Sequence, residues 1–162
     1  KTHKKENVIM NKKQKSLTNK GFSLVELIIV IAIMAVLIGV LAPQYLKYVE
    51  RSRNSTDKNN ASAIVSAVQV WGAETVIPSG KEALKTDTAG TKVTVDSTGT
   101  NVEAGKTNST AIANALDNAG IKTGTGSTKC SSKTAWTSYS LTFTVDANGV
   151  VSVAYNPAAI GE

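Results

Sequence analysis

The stretch KGFSLVELIIVIAIMAVLIGVLAP, residues Lys20–Pro43, decides how the rest of the chain is read. From Leu27 to Ala42 it holds sixteen residues with no charge and no strongly polar group. Counted from Phe22 the run is twenty-one residues, about 31 Å as an α-helix, which matches the thickness of a bilayer core. Yet a carboxylate, Glu26, stands near one end. In a membrane helix such a group costs up to about 2.5–3.5 kcal/mol at the centre and less near the interface. It needs a partner.

Working outward, the residues before this run carry the excess charge. The 162-residue chain has a formal net charge of +6. Residues 1–21 hold seven lysines (Lys1, Lys4, Lys5, Lys12, Lys13, Lys15, Lys20) and one acid, Glu6. Residues 22–162 hold eleven basic and eleven acidic side chains and balance to zero. A basic leader ahead of an apolar run is a topology signal, because Lys and Arg stay on the cytoplasmic side. That distribution argues against a nucleic-acid partner, which would need the basic charge on the folded part. Residue 1 is lysine, and Met10 opens a compact basic leader, MNKKQKSLTNKG. Translation is expected to start at Met10, with Lys1–Ile9 as upstream read-through.

A secretory signal peptide has an apolar core of about 7–15 residues and then a cut between small residues. Here the run is longer, and no clean small-x-small cut follows before Pro43. A plain signal anchor explains the lysines and the length but leaves Glu26 without a purpose.

Lys20–Leu27, KGFSLVEL, resembles the processing motif of type IV prepilins and the related pseudopilins. The pattern is Gly21, then Phe22 as the first mature residue, then Glu26 as the fifth. Ser23 stands where threonine is commoner in that family. The resemblance covers the leader and the first long helix, about a third of the chain. It implies cleavage after Gly21 by a membrane-embedded prepilin peptidase that also methylates the new amine of Phe22. Glycine lets the backbone approach a catalytic site closely. It further implies that Glu26 pairs with the positive N-terminus of a neighbouring subunit. A buried charge is tolerated when paired, so the pair acts as a register device. The implied partners are identical subunits in a helical homopolymer, the peptidase and methyltransferase, an inner-membrane assembly platform and its ATPase, and membrane lipid before assembly. The implied location is the cytoplasmic membrane, N-terminus inside and head outside, and then a surface filament. Family members commonly carry a disulfide near the C-terminus of the head. Cys130 is the one cysteine here, which weakens any transfer of disulfide-loop functions.

A segment that suits lipid also suits a bundle of its own kind. Keeping apolar area from water is worth about 25 cal/mol per Å² in either setting. Ala32, Ala35 and Gly39 recur at spacings that permit close helix approach, though ordinary membrane-helix composition accounts for them equally. Gly39 and Pro43 mark the weak part of the helix. Proline lacks the amide donor and clashes with the carbonyl four residues back, and glycine costs about 1 kcal/mol against alanine. The segment is expected to kink, or to unwind when subunits pack.

Beyond Pro43 the helix is expected to continue to about Ala73, roughly 80 Å in all from Phe22. Ala61, Ile64, Val65, Val68 and Trp71 follow the spacing of a half-buried helix. Tyr45, Val49 and Ser52 form a weaker stripe. Arg53 and Asp57 stand four apart, as an ion pair would. Ser52–Asn60 reads as a neck exposed on both sides. Gly72 and the turn Ile77–Gly80 end the run.

The remainder is rich in Thr, Ser, Asn, Gly and Ala. Lys92–Asp96 alternates like a strand. Ser109–Gly120 reads as a short helix with Ser109 as N-cap, Ile112, Ala115, Leu116 and Ala119 as its buried face, and Gly120 as its stop. TGTGSTK reads as a loop. Tyr139–Val145 and Val150–Tyr155 are the clearest strands, joined by DANG with Gly149 free to take positive φ. Leu141, Phe143 and Val145 should pack on the Ile64–Val68 stripe, while Trp71 and Trp136 read as core or rim. The expected fold is α+β: a long N-terminal helix, its apolar half in membrane or filament core and its amphipathic half packed on a small antiparallel sheet. The expected divisions are residues 1–21 (leader), 22–42 (membrane or filament-core helix), 43–72 (amphipathic helix) and 73–162 (head).

No catalytic set is visible. His3 is the one histidine and lies in the leader, so neither a Ser–His–Asp set nor a usual zinc site is expected, and no cofactor is expected. Gly124–Lys129 lacks P-loop spacing. Asp96, Asp117 and Asp146 show no calcium-loop spacing. Asn54, Asn60 and Asn108 begin Asn-x-Ser/Thr triplets at a rate chance explains. Cys130 reads as a small buried side chain, with interchain pairing as the other reading. The functional expectation is a pilus subunit. A pseudopilin of a secretion or DNA-uptake system, and an anchored surface binding protein that does not polymerise, are the alternatives.

Overall fold

The computed structural model describes residues 21–162. The leader lysines, the Met10 start and residues Lys1–Ile9 lie outside the described residues. Helix α1 runs Leu24–Ala73. There follow β1 (Asp87–Val95), β2 (Gly99–Val102), α2 (Ser109–Asn118), the two-residue β3 (Gly124–Thr125), β4 (Tyr139–Val145), β5 (Val151–Asn156) and a 3-10 turn at Ala158–Ile160. The chain divides into two compact units, the second beginning at Ala42.

In the first unit the apolar side chains of α1 are all exposed, from Leu24 to Leu41. A single chain in water would not tolerate so much uncovered apolar area. The α-helix continues through both Gly39 and Pro43.

In the second unit α1 turns one face inward. Ala61, Ile64, Val65, Val68 and Trp71 are buried as their spacing predicts, joined by Ala67. The helix ends one residue after Gly72, where a Cβ would meet Val151 Cγ2 at 2.7 Å. A side chain there would push helix and sheet apart.

The sheet is antiparallel throughout, in the order β3-β2-β1-β4-β5. Its register puts Val102, Val93, Leu141 and Tyr155 in one row across four strands. The next rows hold Val95 with Tyr139, and Thr91, Phe143 and Val153. Because strand side chains alternate between faces, these rows line one side, and they form the core with α1 and with Ile112, Ala115 and Leu116 of α2. The outer rows are polar, Asn101, Thr94, Ser140 and Asn156 making one of them.

β4 has the predicted limits, and β5 starts one residue later than expected. The turn between them has Gly149 at φ +82°. β1 begins earlier than the predicted Lys92–Asp96, because a bulge between Asp87 and Thr91 restarts the pairing. The Asp87 carboxylate stabilises it, accepting from the Gly90 N–H and the Thr91 hydroxyl, both at 2.9 Å. At α2 the N-cap is Asn108, not Ser109. Ser109 donates its hydroxyl to the carbonyl of Glu103 at 2.5 Å instead. Asn108 is 1% exposed. It ties α2 to the segment before β1, its amide accepting from Lys85 N–H and donating to Lys85 C=O, each at 2.8 Å.

Candidate functional site: the processing segment and the head clasp

Gly21 and Phe22 precede the helix, and Phe22 is 93% exposed. Ser23 holds the N-cap position ahead of Leu24. Its hydroxyl accepts from Val25 N–H at 3.3 Å, and Glu26 Oε2 accepts from Ser23 N–H at 2.9 Å. Together these bonds cap the helix start in a variant of the Ser-x-x-Glu capping box, the serine hydroxyl taking the N–H of Val25 rather than that of Glu26. The carboxylate also lies at the positive end of the helix dipole. Sequence reasoning assigned Glu26 a partner in another chain and missed its local one, although the Ser-x-x-Glu spacing was there to read. Gly39 has open space around it, with nothing within 4 Å of where a Cβ would stand.

The second arrangement lies wholly in the unit beginning at Ala42. Glu50 and Asp57 are two helical turns apart on α1 and share a face. The loop Cys130–Trp136, between β3 and β4, is held by both. Asp57 is fully buried. Its Oδ1 accepts from Ser131 N–H at 2.7 Å, and its Oδ2 from Ser132 N–H at 2.9 Å and from the Trp136 indole at 2.8 Å. The Cys130 thiol donates to the same Oδ2 at 3.4 Å. Glu50 Oε1 accepts from the Ser132 hydroxyl at 2.6 Å and from the N–H groups of Lys133 and Thr134 at 2.7 and 2.8 Å. A buried carboxylate is stable only with its acceptor sites filled, and the loop backbone fills them.

Two expectations are corrected here. Arg53 does not pair with Asp57; it meets Glu50 Oε2 at 3.5 Å, because Asp57 faces inward. For the same reason Ser52–Asn60 is not exposed on both sides, since Asp57 is buried in its midst. Neither carboxylate stood out in the sequence as a holder of this loop, since the loop's donors are 73 to 85 residues away.

The Ser132 hydroxyl, and then the Thr134 N–H, hold the Glu50 carboxyl well below the usual carboxylate range. Burial, and then Asp57, push the Cys130 thiol up to about 11. Cys130 is a buried, free side chain. Burial, and then the charge of Asp57, also push the Tyr139 phenol up. Trp71 is core, its indole donating to Glu82 C=O at 2.9 Å.

Asp96, Asp117 and Asp146 do not converge on a common site. Asp96 accepts from Thr98 and Gly99, Asp146 from Asn148 and Val150, and Asp117 pairs with Lys81 at 2.9 Å. Among the described residues no three metal-ligating side chains come together. The clasp presents spent acceptors and a protonated thiol. Such groups hold a loop rather than attack a substrate.

The chain thus combines a membrane-length apolar helix, capped by a serine and a glutamate just past a glycine, with an α+β unit. Residues 17–42 match the family described as the prokaryotic N-terminal methylation motif. The chain is 38% identical over 56 residues to the type IV major pilin protein PilA of Myxococcus xanthus, covering 35% of this chain and 26% of that protein. It is 37% identical over 65 residues to the prepilin peptidase-dependent protein A of Clostridium perfringens, covering 40% and 46%. It is 39% identical over 64 residues to the type IV major fimbrial protein FimA of Dichelobacter nodosus, covering 40% and 38%. The N-terminal segment is thus similar to that of type IV pilins and carries the N-terminal methylation motif. The matched stretch spans less than half the length of each of these relatives. No solved structure matches the chain significantly.

Proposed function

We propose that the chain is a structural, non-enzymatic subunit that polymerises into a type IV pilus. The observation that carries this reading is the first unit of α1. Its apolar side chains are uncovered on every face, and one acid near its start is set just past a glycine-phenylalanine pair. Lipid covers such a surface first and copies of the same helix cover it afterwards. Cleavage between Gly21 and Phe22 removes the leader lysines, and methylation modifies the amine of Phe22. Glu26 then answers the amine of a neighbouring subunit. Gly39 and Pro43 lower the cost of local unwinding as the helices pack. The precursor lies in the cytoplasmic membrane, leader inside and head outside, and the product is a surface filament. A peptidase with methyltransferase activity, an assembly platform and an ATPase complete the partner set.

Mass spectrometry of the chain recovered from cells tests the processing, with N-methyl-Phe22 expected as the first residue. An intact leader would sink the proposal. Electron microscopy with antibody to residues 73–162 tests the filament, and separates a long pilus from the short filament of a pseudopilin.

A further inference from the structure

Immediately after the apolar run α1 changes character. Tyr45 and Tyr48 are 68% and 65% exposed. Tyrosines exposed just past an apolar span are the usual residents of the head-group level of a bilayer. Lys47 and Arg51, four apart and so on one face, are exposed beside them. Glu50 is the one acid between Gln44 and Asn54, and its charge is already answered by Arg53 and by the loop N–H groups. The clasp has a consequence for charge. By binding Lys133 N–H at 2.7 Å, Glu50 brings a third exposed cation, Lys133, to this level of the helix. Helix and loop share one open depression, lined by Leu46, Lys47, Glu50, Arg51, Asn54 and Thr134. Among the described residues Lys47, Arg51 and Lys133 make no ion pair.

We propose that Tyr45, Tyr48, Lys47, Arg51 and Lys133 form a surface that binds the phosphates of anionic phospholipids in the outer leaflet. The inference rests on the reading that residues 22–42 cross the membrane before assembly. Lys47 and Arg51 lie five and nine residues past Ala42, about 8 and 14 Å along the helix. The head-group layer is roughly 5–8 Å deep on each side. Lys47 lies at the depth of the head groups, and Arg51 lies about 6 Å beyond them, within the reach of a long side chain. Helical side chains lean toward the N-terminus, which here is toward the apolar run. Long basic side chains can therefore reach back to phosphate while their stems stay against the helix. Each cation near an anionic surface raises association roughly fivefold.

The full chain in phosphatidylcholine bilayers, doped with a photoactivatable phosphatidylglycerol or phosphatidylcholine probe, tests this. Cross-links are mapped by mass spectrometry. At low salt we expect peptides spanning residues 44–54 and 130–136 to take up the anionic probe at least about fivefold over the zwitterionic one. The preference should shrink in high salt. It should disappear in K47Q/R51Q/K133Q, while cross-links at the leader lysines persist as an internal control. Equal labelling by both probes, or a preference that survives the triple substitution, overturns the inference. A preference seen only at protein densities where subunits associate assigns these cations to a neighbouring copy and also overturns it. Failure of the chain to enter bilayers removes both this inference and the reading beneath it; insertion without lipid preference removes this inference alone.

Discussion

The indole of Trp136 donates to the Asp57 carboxylate at 2.8 Å across 79 residues of chain. That contact joins a polar position on α1 to a loop with no secondary structure of its own. It fixes the loop between β3 and β4 without a disulfide.

Asp57→Ala should therefore destabilise the head well beyond the effect of a surface change. The substitution leaves one buried and one half-buried backbone N–H and a half-buried indole N–H without their acceptor, at about 1–3 kcal/mol for each fully buried group. A loss of about 3 kcal/mol or more is expected in denaturant unfolding of the detergent-solubilised chain. Fluorescence is a suitable probe, because Trp136 sits in the clasp. A loss under about 0.5 kcal/mol would mean the loop is held by something else.

Glu50 gives the clasp a pH dependence of known sign. Its carboxyl titrates lower in the folded chain than in the unfolded one, held down by the Ser132 hydroxyl and the Thr134 N–H. The stabilisation is fully present above the unfolded value, about 4.3, and fades as pH falls through the folded value. Asp96 and Asp117 act in the same sense, held low chiefly by Thr98 and Lys81. Comparison with Glu50→Gln isolates the one group. Below about pH 4.5 wild-type stability should fall more steeply than that of the variant. Parallel curves would show that Glu50 is not coupled to folding.

How much of this was legible follows from what leaves a periodic trace. The alternation of Tyr139–Val145 and the helical spacing of Ala61–Trp71 exist in the sequence because each element buries one face, and both elements formed as read. Gly21, Phe22 and Glu26 were legible as a local motif. Asp57 was not. It lies in a run of polar residues, and its burial depends on donors brought by the loop between β3 and β4, more than 70 residues later in the chain. Ser109 misled for a related reason. Its hydroxyl had two uses, and bonding to the Glu103 carbonyl took precedence over capping.

Glu26 has two separable jobs. It caps its own helix through Ser23 N–H, and under the proposed function it supplies a negative charge to a neighbour's amine. Glutamine keeps the first and removes the second, since its amide oxygen can accept the same N–H. Alanine removes both. Glu26→Gln and Glu26→Ala should both enter the membrane, and neither should yield sheared filaments in quantity. Normal filament yield from the Gln variant would show that the cap, rather than the charge, is what assembly requires.

Cys130 should behave as a packed donor and not as a reactive thiol. Its thiol is raised to about 11 by burial and then by Asp57, against about 8.5 for a free cysteine. At pH 8 the thiolate fraction is then lower by about two orders of magnitude. Alkylation of the native chain by iodoacetamide should slow by at least that factor relative to the unfolded chain, because burial adds a barrier of access. Cys130→Ser places a better hydrogen-bond donor beside Asp57 Oδ2 and should leave stability within about 1 kcal/mol of wild type. Fast alkylation of the folded chain, or a disulfide-linked dimer on non-reducing gels, would return Cys130 to the interchain reading.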